Sequence, residues 1–276
     1  MSRIVTVQDI SCVGQCSITV ALPIVSAFGV ETCILPSAVL STHTGGFKGF
    51  TFRDLTDDMP DIYHHWQKEK IDFDAIYTGY LGNAKQVDFI LEMASLLLKK
   101  NGLLIVDPAM ADYGKLYTGF DGAFVDEMAR LCSHADYILP NLSEAAFMLH
   151  EEYVSEGYDR EYIEGLCKKL CALGAKNVVL TGVGFEPEKV GVAVFDGNKV
   201  EYYFNKKEKR NSHGTGDIFA SAFTGALMTG KSAYDAAALA ADFTVKAIQA
   251  TADDPAHNYG VKFEKAIPFI VSRLNN

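Results

Sequence analysis

The chain has 276 residues, 49% of them hydrophobic and 22% charged, with a formal net charge of −10 at pH 7. That balance fits a globular chain with ample core, and it argues against nucleic acid or an anionic membrane surface as a partner. An anionic small ligand would need local help from backbone amides, a metal or a basic cluster. No apolar stretch is long enough to span a bilayer, and the amino terminus, "MSRIVTVQDI", lacks the apolar run and cleavage site of a signal peptide, so a cytoplasmic location is expected.

In chain order, "RIVTVQD" (3–9) reads as an apolar strand ending at Asp9. Residues 16–29 read as a helix that Pro23 bends, and 30–38 as a second strand. A glycine-rich polar loop, 40–50, follows. Then come a helix near 56–69, a strand at 74–79, a helix over 83–100 and a buried strand at 103–110 broken by Asp107-Pro108. A helix near 122–133 leads into the strand 136–141, helices near 143–149 and 159–173, and another buried strand at 176–182. Residues 190–204 form a hairpin around Asp196-Gly197-Asn198. The remainder is helical: 215–229, 232–250 and 262–274. Alternating strands and helices with apolar strands predict a three-layer α/β/α fold, its central, mostly parallel sheet covered on both faces. No linker, repeat or low-complexity segment divides residues 1–276, so one domain is expected.

The six cysteines, at 12, 16, 33, 132, 167 and 171, show no CxxC and no nearby His, and read as reduced thiols packed as small hydrophobes. Polar residues gather at the carboxyl ends of the strands: Asp9, Thr78-Gly79-Tyr80, Asp107-Pro108, Asn141 and Thr181-Gly182. In open α/β sheets that edge binds ligands.

Four motifs there each have a chemical and a structural reading. Gly214-Thr215-Gly216-Asp217 opens a helix. It is either an anion hole with an acid placed to accept a proton, or a helix start stabilised by Asp217. Asn141-Leu142-Ser143-Glu144 sets an amide and a carboxylate on one helical face, either for a hydrated Mg2+ or as a capping box. Asp107 and Asp112 flank "PAMA" as acids near metal and phosphates or as Asp-Pro turn chemistry. "STHTGG" (41–46) is a flap with Thr44 as a donor, or simply a turn. The basic run "KKEKR" (206–210) reads as a solvated loop, and His43 and His213 as structural histidines. The chain has neither GxxxxGK[ST] nor a GxGxxG after its first strand, which excludes Walker-type and dinucleotide sites.

The late GTGD, the Asn-x-x-Glu after a middle strand and the α/β order resemble the ribokinase-like small-molecule kinases. More narrowly, "TGYLG" (78–82), "DPAMADYGKLY" (107–117), "LPNLSEA" (139–145) and "STHTGG" resemble the pyridoxal/pyridoxamine (vitamin B6) kinases, over roughly residues 4–250. The resemblance implies transfer of the ATP γ-phosphoryl group to the 5′-hydroxymethyl of a B6 vitamer, with Mg2+ and, in candidate form, K+. Asp217 matches the catalytic base, and Gly214, Thr215 and Gly216 match the anion hole. Asn141 and Glu144 match residues that organise Mg2+ and phosphates. Asp107, Asp112, Tyr117 and Thr181 match positions around ATP and cations, with Asp107 and Glu144 as metal ligands. Thr44 and Tyr80 match residues against the pyridine ring. A homodimer is implied.

One departure is plain: Asp9 follows Gln8 where many members carry a Ser that contacts the substrate ring. A carboxylate there suits a protonated ring nitrogen or an aminomethyl group, and so a preference for pyridoxamine over pyridoxal. Two alternatives stand beside this reading. Hydroxymethylpyrimidine kinases share "HGTG", although they usually carry Cys at the place of Asp217 and a glycine-rich opening after the first strand. A non-catalytic vitamer-binding protein would need neither the acid nor the Mg2+-type pair.

Overall fold

A computed structural model describes residues 1–208, 213–254 and 256–274. The strands are β1 (Arg3–Ser11), β2 (Glu31–Leu40), β3 (Phe52–Asp54), β4 (Phe73–Thr78), β5 (Leu98–Val106), β6 (Ala111–Asp112), β7 (Lys115–Leu116), β8 (Tyr137–Ile138), β9 (Asn177–Val183), β10 (Lys189–Phe195) and β11 (Val200–Lys206). The helices are α1 (Ile18–Ala27), α2 (Met59–Lys68), α3 (Ala84–Leu97), α4 (Gly122–Cys132), α5 (Leu142–Met148), α6 (Arg160–Ala172), α7 (Thr215–Met228), α8 (Ala233–Gln249) and α9 (Ile267–Leu274).

Among the described residues, nine strands form one sheet in the order β11-β10-β9-β8-β5-β4-β1-β2-β3. The interior is parallel, while β10 runs antiparallel to β9 and β11, and β3 antiparallel to β2. Strand alternation divides the apolar side chains between two cores. Val5, Val7, Ile76 and Leu180 face α2–α6; Ile4, Ala75, Tyr77 and Val179 face α1, α7, α8 and α9. The three-layer α/β/α expectation, with a mostly parallel sheet, therefore holds.

Three local expectations differ. Helix α3 stops at Leu97 rather than 100. Leu98 is already extended and pairs with Phe73, and the register slips before Leu103, where Gly102 lies so close to the Leu98 side chain that a Cβ would stand 2.7 Å from it. The strand expected over 136–141 is only Tyr137–Ile138, since Pro140 offers no N–H, and the ladder resumes as a single bridge between Asn141 and Thr181. Strand β3 and the β6–β7 hairpin lie in stretches where no strand is expected. Of the basic run, Lys206 and Lys207 are exposed, and Lys209 and Arg210 lie outside the described residues.

Candidate active site

Chain progression reverses direction in the sheet at β1, with β2 on one side and β4 on the other. A crevice opens beyond the carboxyl ends at such a switch point. Asp9, at the end of β1, and Thr78-Gly79-Tyr80, after β4, flank it. Asp9 is 4% exposed and accepts a hydrogen bond from Ser11 Oγ at 2.8 Å and one from the Ser17 hydroxyl. Burial raises its pKa, and the two serines oppose that shift.

The glycine turn faces the same crevice. Gly214 is the N-cap of α7, with φ 75° and no capping side chain. A Cβ there would stand 2.1 Å from the Gln15 carbonyl oxygen and 3.2 Å from Cys16 Sγ, so both conformation and close approach require glycine. Gly216 is different: a Cβ on it would meet nothing within 4 Å. The space before the first amides of α7 is open to a ligand, and the helix dipole favours an anion there. Asp217, in the first turn of α7, keeps some solvent exposure yet is ringed by protein. Burial, then the charge of Asp9, pushes its pKa up to about 7, while the Ser17 N–H and the Cys16 thiol, hydrogen-bonded to it, pull the other way. A carboxyl group that titrates near neutrality beside an anion cradle is suited to accept a proton.

The other half of the cleft is built by Asn141-Leu142-Ser143-Glu144. Asn141 caps α5 through its side-chain oxygen, and Glu144 Oε2 accepts from the Asn141 N–H at 2.9 Å, which closes a capping box. The same residues clasp the loop after β5. Glu144 Oε1 accepts from the N–H groups of Met110 (3.0 Å) and Ala111 (3.4 Å). Asn141 Nδ2 donates to the Ala111 carbonyl at 2.7 Å, and the Gly114 N–H donates to Ser143 Oγ at 2.8 Å. The loop needs such support: Ala109 and Tyr113 have φ of 40° and 49°.

Asp107, 7% exposed, accepts from the Ala109 N–H at 3.2 Å. Burial and the neighbouring carboxylates Glu144 and Asp217 raise its pKa well above the ordinary range. Glu144, with three N–H donors, is the acid of this pair that better keeps its charge. Asp112 is exposed and accepts from the Tyr113 N–H at 2.8 Å. Tyr117, 41% exposed, lies in the field of Glu144, Asp112, Asp107 and Asp217, which together with burial raises its pKa. Thr181 donates to the Pro140 carbonyl at 3.3 Å and so joins β9 to the Asn141 turn.

Among the described residues no three His, Cys, Asp or Glu side chains assemble as a metal-binding group. Three acids nevertheless interact here, Asp107 with both Glu144 and Asp217. Their mutual repulsion, together with the open cradle at Gly216, fits a divalent cation bound through few protein oxygens and phosphate. Asp107 has the free lone pairs. Both oxygens of Glu144 already accept backbone N–H groups, which holds the loop and leaves a lone pair on Oε2.

The segment 41–46 comes near Asp9 through His43, which is electrostatically coupled to it. Buried His43 donates from Nε2 to the Tyr259 carbonyl at 2.9 Å, and its Nδ1 accepts from the Gly45 N–H at 3.1 Å, which fixes the neutral tautomer. Burial lowers its pKa. Exposed Thr44 sits between His43, which is electrostatically coupled to Asp9, and Gly45, where a Cβ would approach His213 Nδ1 to 2.8 Å. The Tyr80 ring lies 5.4 Å from that of Phe120, in the field of Asp9. Electrostatic coupling thus links Asp9 to Tyr80 and Asp217, and Asp217 in turn to Asp107 and Tyr117, both of which are coupled to Glu144, while Thr44 is near this group only through its chain neighbour His43.

Sequence reasoning missed Gln15, Cys16 and Ser17. Ser17 precedes a helix and reads as an N-cap, but its hydroxyl does not cap, and its φ of 56° is rare outside glycine. Cys16 is not simply a packed hydrophobe: its thiol faces Asp217. Nothing local signals either role toward Asp217, which lies much further along the chain.

A mostly parallel nine-stranded sheet, a glycine turn with an acid at the start of a late helix, and a clasped acidic loop at the switch point define a ribokinase-like small-molecule kinase. The chain belongs to the phosphomethylpyrimidine kinase family, whose sequence profile matches residues 24–262. It superimposes with a TM-score of 0.92, at 37% identity, on a provisionally assigned phosphomethylpyrimidine kinase of Bacteroides thetaiotaomicron solved with pyridoxal, covering 98% of this chain and 95% of that one. Against the pyridoxal kinase of Lactobacillus plantarum the TM-score is 0.90 at 30% identity, covering 99% and 98%. A pyridoxine kinase of Bacillus subtilis is 33% identical over 186 residues, 65% of this chain and 65% of that enzyme.

Proposed function

We propose that this kinase transfers the γ-phosphoryl group of ATP to the 5′-hydroxymethyl group of a vitamin B6 vitamer, with pyridoxamine preferred over pyridoxal. The observation that carries the reading is the placement of two acids in one crevice: Asp217 beside an open glycine cradle, and buried Asp9 at the end of β1. Phosphoryl transfer asks for alignment and charge neutralisation more than covalent chemistry. The first amides of α7 receive the oxygens of the migrating group. The substrate hydroxyl lies in line, and Asp217 accepts its proton late in a loose transition state. Mg2+, when bound, neutralises phosphate charge, and Asp107 would hold it while Glu144 fixes the loop that carries Asp107. Tyr80 and Thr44 orient the ring, and Asp9 pairs with the cationic nitrogen of the vitamer. The pyridoxal in the Bacteroides structure supports a ligand of this kind. We further propose a cytoplasmic homodimer; among the described residues no helix is long and apolar enough to cross a membrane.

The family description favours one second reading, a hydroxymethylpyrimidine kinase. A coupled ADP-release assay with pyridoxal, pyridoxine, pyridoxamine and hydroxymethylpyrimidine separates the two. The proposal expects the highest kcat/KM with pyridoxamine. Fastest turnover of the pyrimidine establishes the second reading, and vitamer binding without ADP release makes the protein a non-catalytic binder.

A further inference from the structure

The loop between β1 and α1 does more than connect them. Its residue Gln15 is held from behind by the carboxyl-terminal segment. The Gln15 N–H donates to the Tyr259 carbonyl at 3.2 Å, its Nε2 donates to Glu264 Oε1 at 2.8 Å, and its Oε1 lies 2.9 Å from His257 Nε2. Gly260 is in contact as well, since a Cβ on it would reach 2.6 Å from Gln15 Cβ. In front, the Gln15 carbonyl and Cys16 Sγ abut Gly214. Ser17 adopts φ 56° and ψ −136°, leaves the amides of α1 uncapped by its side chain, and turns its hydroxyl to Asp9 and its N–H to Asp217. A strained residue with two carboxylate partners is held by its surroundings for a purpose other than its own helix.

We propose that Cys16 is a positioning residue of the phosphoryl-transfer step, its thiol donating a hydrogen bond that aims the Asp217 carboxylate at the substrate hydroxyl, with Gln15 as the anchor of the loop. The inference rests on the reading of Asp217 as the base. The thiol is suited to donate: burial, then Asp217 and Asp9, keep it protonated by pushing its pKa well up. The groups facing Asp217 are Asp9 from β1, Cys16 and Ser17 from the loop, Tyr77 from β4, Asp107 after β5, and Tyr117.

The test compares Cys16→Ala with Cys16→Ser in the intact enzyme, reading the pH profile of kcat/KM and the infrared S–H stretch. Cys16→Ala removes a donor to the anion. Its acid limb should move to higher pH by about half a unit and kcat should fall about five-fold, the usual weight of one hydrogen bond, with KM for ATP unchanged. Cys16→Ser keeps a donor and should restore the limb. The S–H band, isolated as wild type minus Cys16→Ser, should shift on Asp217→Asn. An unmoved limb in Cys16→Ala, a Cys16→Ser enzyme with the limb of Cys16→Ala, or an S–H band indifferent to Asp217→Asn overturns the proposal. If Cys16→Ala does not fold, the infrared comparison decides alone. Normal turnover in Asp217→Asn with a shifted band would instead remove the role of base and leave the contact standing.

Discussion

Two helix starts in this protein carry the same spacing, a first residue and an acid three positions on, and use it in opposite ways. At α5, Asn141 and Glu144 close a capping box, and the oxygens of Glu144 are all engaged with backbone N–H groups. At α7, Gly214 has no side chain to cap with, and Asp217 is supported by a neighbouring loop instead of its own helix. Under the proposed reading of Asp217 as the base, the difference is in what leaves an acid available for chemistry. The N-cap must not claim it, and the surroundings must supply donors enough to place it without saturating it.

The comparison breaks first at Asp217. Replacing it by Asn should lower kcat about two to four orders of magnitude, the usual weight of one acid–base group, with ATP binding mostly intact in a titration of nucleotide. Stability should move the other way. The folded pKa of about 7 lies above the unfolded value of 3.8, so ionising Asp217 costs stability as pH rises through that window. Asp217→Asn should therefore raise Tm at pH 8, and the gain should fade as pH falls from about 7 toward 3.8. Near-normal turnover would remove Asp217 from the chemistry.

The two glycines of the turn separate backbone need from ligand need. Gly214→Ala combines a left-handed φ with a Cβ 2.1 Å from the Gln15 carbonyl oxygen. It should cost about 2–4 kcal/mol in denaturant melts. Gly216→Ala meets nothing and sits in a helix, so it should leave stability equal or raise it by up to about 1 kcal/mol. It should nonetheless impair turnover, because the methyl enters the space assigned to phosphate. Full activity in Gly216→Ala would empty that space of its proposed role.

At α5 the prediction is structural. Glu144→Gln keeps an oxygen for the Met110 and Ala111 N–H groups but turns an amide toward the Asn141 N–H. It should destabilise by about 2 kcal/mol. Backbone hydrogen exchange should quicken over residues 109–114. An unchanged Tm would mean that the clasp is not what holds the loop.

The strand and helix order was legible because burial on both faces of a parallel sheet writes continuous apolar strands between amphipathic helices. The GTGD turn and the Asn-x-x-Glu pair were legible because each is one local stretch with glycine or capping chemistry. The two readings of Asn141 and Glu144 proved hard to separate for a physical reason: a capping box and a clasp on the next loop use the same atoms. What stayed hidden depends on distant chain. Gln15 matters through Tyr259 and Glu264, Cys16 through Asp217, and His43 through Tyr259. Strand β3 escaped notice because its three residues are all exposed and carry no core-facing pattern.

The smallest effect tests how Asp217 is tuned. After burial, the charge of Asp9 is the main influence raising its pKa toward about 7. Asp9→Asn removes that charge while keeping the shape, so the Asp217 carboxyl should ionise more readily. The acid limb of kcat/KM should move to lower pH, by about half a unit for one partly screened charge. The Cys16→Ala substitution moves the same limb upward, so the two changes pull in opposite directions. The vitamer bears on the result as well. If the cationic nitrogen of pyridoxamine pairs with Asp9, the bound enzyme already has that charge offset, and the limb of kcat should differ less between wild type and Asp9→Asn than the limb of kcat/KM. Equal displacement of both limbs would place Asp9 near Asp217 but away from the vitamer, and an unmoved pair would separate the two carboxylates altogether.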